Sequence, residues 1–205
     1  PEARVGETRM EQLQCALNRQ HDESGAYSNE HLYRLFHGVL DVSLPVNDDG
    51  GSYEYTMSLI KNTNHIRVIL QHLSGEDVNK DDFIFRIDDE NGLMAHDNEL
   101  LPDENINYRP WDVQNVEAGI GMDGNRAVSN VKGLVADFTV GRLIETHREK
   151  MILAIDTKDG KKVARIPVMD YALMGKEYYE KEYNYPMDKR EFLNRLDAVS
   201  YTHLR

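Results

Sequence analysis

Gly119, Gly121 and Gly124 in GIGMDG have the spacing that seats a pyrophosphate on the amino end of a helix. That chemistry needs a buried parallel strand before the glycines and an amphipathic helix after them. VQNVEA and NRAVSNVKG, the flanking stretches, supply neither, so a loop is expected. VNDDGG (46–51) and DTKDGKK (156–162) carry the carboxylate–glycine mix of calcium loops. Neither alternates ligands nor ends on the distal glutamate such loops use, and Lys158, Lys161 and Lys162 would repel a cation from the second. Both are expected to be turns. The pairs Asp81-Asp82 and Asp88-Asp89 could serve acid–base work on a glycan. At strand edges, carboxylates more often solvate turns, and no facing pair is singled out.

Nucleophiles are equally sparse. No G-x-S-x-G is present, and Cys15 is the single cysteine, without a histidine partner in the pattern. One thiol forms no internal disulfide, and the eight histidines are dispersed, with no H-E-x-x-H. His37, before Gly38, is expected to support a helix end. Trp111, beside Tyr108 and Pro110, could stack on a sugar, or plug the end of a β-sandwich. The polar quartet Lys61-Asn62-Thr63-Asn64 interrupts two alternating runs without glycine or proline. With no nucleophile or metal partner for it, a bulge or bend in one long strand is expected, since asparagine tolerates the backbone that bulges use. No catalytic, cofactor-binding or metal-binding residue is therefore assigned.

The elements that would position these residues are mostly strands. Alternation of apolar and polar residues runs through 39–46, 53–59, 66–71, 83–88 and 134–140. MILAI (151–155) and VARIPV (163–168) flank Asp159-Gly160, a hairpin turn pair. MEQLQCAL (10–17) fits strand and helix spacing alike and leans to strand. SNEHLYRLFHG (28–38), with Ser28 or Asn29 as cap and Gly38 as stop, predicts a two-turn helix. MDKREFLNRLD predicts a second, capped by Asp188. Glu90 to Asn130 is expected to be a long irregular loop, and the five tyrosines between Tyr171 and Tyr185 an interface or a covered core edge. NDDGG (47–51) marks a domain boundary, leaving 1–50 as the end of one domain and 51–205 as a second. The architecture that follows is mostly β, an antiparallel sandwich with a few short helices.

Composition narrows the partners. With 36 acidic and 24 basic residues, the net charge is -12, which disfavours nucleic acid. No stretch approaches the ~18 apolar residues of a membrane helix.

The ordered set LYRLFHG (32–38), SLIKNTNHIRVIL (58–70), FRIDDENGLMAHDN (85–98), INYRPW (106–111), FTVGRL (138–143) and REFLNRLD (190–197) resembles the fimbrillin-associated anchor and minor-subunit family of Bacteroides-type bacteria. The resemblance covers about Gly6 to Asp197. It implies two transthyretin-like β-sandwich domains in a non-enzymatic fimbrial component at the cell surface. It further implies β-strand pairing with other fimbrial subunits and a lipid anchor to the outer membrane. Catalytic residues and cofactors are not implied. Two departures stand out. Cys15 follows EQLQ, which is not a lipobox, so the anchor and the first part of the amino-terminal domain are expected to be missing from this fragment. The ending AVSYTHLR replaces the family's final strands and resembles sequencing-adapter read-through. The alternative function is a carbohydrate-binding sandwich module that uses Trp111 and loop tyrosines.

Overall fold

A computed structural model describes residues 3–43, 52–72, 76–119, 130–196 and 199–204. Its strands, in chain order, begin with β1 (Gln14–Ala16), β2 (Gln20–Asp22), β3 (Gly25–Ser28), β4 (Phe36–His37) and β5 (Ile60–Lys61). There follow β6 (Thr63–His72), β7 (Phe83–Asp89), β8 (Leu93–Ala95), β9 (Ile106–Tyr108) and β10 (Asp112–Gly119). The last are β11 (Asn130–Gly141), β12 (Ile152–Thr157), β13 (Lys162–Pro167) and β14 (Val199–Leu204). Helices α1 (Val168–Met174), α2 (Lys176–Tyr183) and α3 (Lys189–Arg195) precede the last strand.

Two sheets form the body, one ordered β10-β11-β6-β14 and the other β13-β12-β7-β9-β3-β2. Period-two patterning explains them. Ile66, Val68 and Leu70 of β6 face inward beside Leu134, Ala136, Phe138 and Val140 of β11. They meet Phe85, Ile87, Leu153 and Ile155 from the second sheet in one core. A fully buried side chain of this kind contributes about 1.5–3 kcal/mol, so the two inner faces hold the fold together. Pairing is antiparallel except between β3 and β9 and between β14 and β6. Among the described residues strands far outnumber helices, which makes the protein mostly β as expected.

Helix α3 begins where expected, the Asp188 carboxylate accepting from the Glu191 N–H at 2.7 Å. At the β12–β13 hairpin Gly160 takes φ 89°, the left-handed backbone its turn requires. Helices α1 and α2 were not legible. Tyr179 of α2 packs edge-on against Phe192 of α3 at 5.7 Å, so part of the tyrosine-rich stretch covers the core.

Three expectations fail. Residues 28–38 are not a helix: Ser28 ends β3, and the chain bends at Glu30 and runs irregularly to β4. Their backbone groups bond elsewhere. The Thr63 hydroxyl accepts from the Leu35 N–H at 2.8 Å and donates to the Tyr33 carbonyl at 3.1 Å. The Leu35 carbonyl accepts from the Asn62 N–H at 2.8 Å. Tertiary partners outcompete a weak intrinsic preference here. The stretch 90–130 is not one loop, because β8, β9 and β10 lie within it. Residues 53–59 form no strand and join no ladder among the described residues. The boundary motif NDDGG and Ile120–Ser129, which includes Gly121 and Gly124, lie outside the described residues.

Candidate interaction surface

The quartet Lys61–Asn64 is buried, none of its members more than 5% exposed. It marks a change of sheet. β5 pairs with β4, while β6 pairs with β11, and Asn62 is the single residue between them. Its polar groups are used to fix neighbours. Asn62 Nδ2 donates to Asn98 Oδ1 at 2.6 Å, Asn64 Nδ2 to the Gly141 carbonyl at 3.2 Å, and Lys61 Nζ to the Leu196 carbonyl at 2.5 Å. The break is a clamp that joins residues 33–35, the 97–99 turn and the end of α3 to one strand.

What the clamp holds is a two-stranded ribbon. The β4–β5 register sets Phe36 opposite Lys61 and His37 opposite Ile60. The hydrogen-bonded ladder ends there; the same spacing carried outward would bring Gly38 level with Leu59, Leu40 with Met57 and Val42 with Tyr55. Two contacts support it. The Tyr55 hydroxyl donates to the Ser43 carbonyl at 3.2 Å. A Cβ on Gly38 would lie 2.7 Å from Leu59 Cδ2 and 2.9 Å from the Ser58 carbonyl, so close approach requires glycine there.

Alternation then puts Leu40, Val42, Tyr55, Met57 and Leu59 on one face of the ribbon. All five are exposed, from 40% for Leu40 to 53% for Leu59. A β-ribbon with one apolar face is half of a sandwich, and nothing among the described residues covers it. The outer strands of the body are better defended. β13 carries Lys162 and Arg165, and β10 carries Asp112 and Glu117, charges of the kind that discourage edge pairing.

The residues weighed for chemistry are not brought together. Asp88 and Asp89 point to opposite faces of β7: Asp88 accepts from Asn107 Nδ2 at 2.8 Å, while buried Asp89 sits 2.7 Å from His147 Nδ1. Burial pushes the Asp89 carboxyl up, with the His147 interaction opposing it. Tyr108 is also raised by burial, and its hydroxyl donates to Asn91 Oδ1 at 2.5 Å. Asn91 Nδ2 in turn donates to the Arg142 carbonyl at 2.9 Å, so this seam is an internal brace between sheets. Asp81 and Asp82 lie in a short 3-10 turn capped by Asn79. Cys15 is an exposed free thiol on β1. His37 is no helix end; it lies in β4, its Nε2 2.8 Å from the His96 carbonyl. Trp111 is half-buried with the His31 ring 4.5 Å from its own, so a partner already covers the proposed stacking platform. Among the described residues no group of three or more His, Cys, Asp or Glu side chains could hold a metal ion, and no helix is long and apolar enough to cross a membrane.

Sequence reasoning marked the alternation at 53–59 but placed it inside a sheet. The signal for a ribbon was present in Gly38, whose missing side chain lets residues 57–59 approach.

Comparisons with known proteins agree with this architecture. A Bacteroides thetaiotaomicron protein described as a candidate adhesin matches at TM-score 0.61 and 32% identity, covering 74% of this chain and 49% of its own. Another protein of that organism, described as a candidate polysaccharide-binding protein, matches at TM-score 0.65 and 24% identity, covering 99% and 62%. The fimbrial anchor protein Mfa2 from Porphyromonas gingivalis matches at TM-score 0.51 and 19% identity, covering 84% and 56%. At their identities the last two share the fold. The chain spans 49% to 62% of the length of these three structures. No curated protein matches the sequence significantly. The family model for fimbrillin-A associated anchor proteins Mfa1 and Mfa2 matches residues 1–200, and the chain belongs to that family.

Proposed function

We propose that this chain is a structural, non-enzymatic subunit of a bacterial surface fimbria, in an anchor or minor (tip) position, that joins other fimbrial subunits through the ribbon at 38–43 and 53–59. The observation that carries this reading is the apolar face of Leu40, Val42, Tyr55, Met57 and Leu59, exposed on two segments with unladdered backbone. A partner strand laid along residues 53–59 would supply the backbone hydrogen bonds, and its alternate side chains would cover the apolar face. Attachment to the outer membrane would be through a lipid.

The test is capture of purified fimbrial subunits from a fimbriated bacterium that encodes a family member, using this chain immobilised. The chain is expected to retain a defined subunit, and a Val42→Lys, Met57→Lys double variant to lose it. Equal retention by both would overturn the reading.

A further inference from the structure

Away from the ribbon, a cleft of about 660 Å³ opens between the 97–100 turn, residues 142–146 and α3. Arg142 and Arg190 both line it. Arg142 is half-buried and donates from Nη1 to the Asn98 carbonyl at 2.9 Å, while Arg190 is exposed on α3. Burial, and then the nearby Arg190 charge, hold the Arg142 guanidinium below its ordinary value. Two like charges beside one space, one of them partly desolvated, cost free energy unless an anion joins them.

Among the described residues no carboxylate forms an ion pair with either arginine. That is unusual in a chain with 36 acidic and 24 basic residues. Arg19, Arg67, Arg86, Arg109, Arg148 and Arg165 each have an acidic partner. Glu145, on the cleft wall, is already engaged by Lys189 at 2.5 Å. Asp97 and Glu99 also line the cleft, so the two arginines form its cationic side.

We propose that this cleft binds a uronic-acid saccharide, Arg142 and Arg190 together gripping its carboxylate. Guanidinium forks match a planar carboxylate in two parallel hydrogen bonds, which a neutral sugar does not offer. The rest of the wall suits a sugar ring. The Asp97 and Glu99 carboxylates on the same wall can accept the hydrogens of hydroxyls beside the carboxylate. The volume lies within the range of small-molecule clefts, about 300–1,000 Å³. This site is separate from the ribbon, so it stands whether or not subunits join there.

Calorimetric titration of the whole chain with digalacturonate at low salt, with galactobiose as the neutral control, tests it. Digalacturonate is expected to bind and galactobiose not to. Arg190→Gln, which removes no protein contact of an exposed side chain, should weaken binding roughly tenfold, the loss of one charge-assisted pair. Arg142→Lys keeps the charge but not the fork and should also weaken it. No heat with digalacturonate, equal binding of galactobiose, an unchanged Arg190→Gln variant, or tighter binding of hexaglutamate would each overturn the proposal.

Discussion

Two copies of this chain are expected to associate through the exposed ribbon at high concentration, and replacing Val42 and Met57 with lysine to leave monomers at the same concentration. Both side chains lie on the apolar face of the ribbon and outside the core, so the body should fold unchanged. Each is already about half covered, so covering the rest is worth about half of the 1.5–3 kcal/mol of full burial, and losing two should raise the dissociation constant at least about tenfold. Lysines on the ribbon add a second effect, since charge on a free strand opposes further pairing. Sedimentation velocity over a concentration series measures it. A parent chain that stays monomeric at high concentration, or a variant that associates as strongly, would contradict the assignment of this surface.

Thr63→Val should lower stability by about 2 kcal/mol, although the two side chains have nearly the same shape. The Thr63 hydroxyl serves two backbone groups of the neighbouring segment, accepting from the Leu35 N–H and donating to the Tyr33 carbonyl. Valine leaves both without that partner at a position only 4% exposed. For a chain of this size, each kcal/mol corresponds to about 2–4 °C in Tm, so a fall of about 4–8 °C is expected by calorimetry. A Tm unchanged within about a degree would mean that the quartet does not clamp residues 33–35.

The sheets were legible because their signal is local. Ile66, Val68 and Leu70 alternate with Arg67 and Gln71, and a strand buried on one face must do so. The Asp188 cap and the Asp159-Gly160 turn were legible for the same reason, as each depends on a few neighbouring residues. Residues 28–38 were misread because their local preference is helical while their hydrogen-bond partners, Asn62 and Thr63, lie some thirty positions away. β8 and β9 were missed because three residues are too few to show a period. α1 buries Val168, Met169 and Ala172, but its seven residues are only two turns and Val168 continues the alternation of β13; α2 has no buried residue. The ribbon was half visible: alternation at 53–59 signalled an extended chain with one apolar face, but not that this face is left uncovered. The arginine cleft had no sequence signal, because Arg142 and Arg190 converge only through the fold.

Hydrogen exchange at the backbone amides of residues 53–59 tests the central claim most directly. In the dilute, isolated chain these amides join no ladder and are expected to exchange nearly as fast as an unstructured peptide. In a complex with a fimbrial partner they should slow at least about tenfold, while β10 and β13 stay as they were. Unchanged exchange at 53–59, with new protection along β10 or β13 instead, would place assembly on the sheet edges and contradict the account.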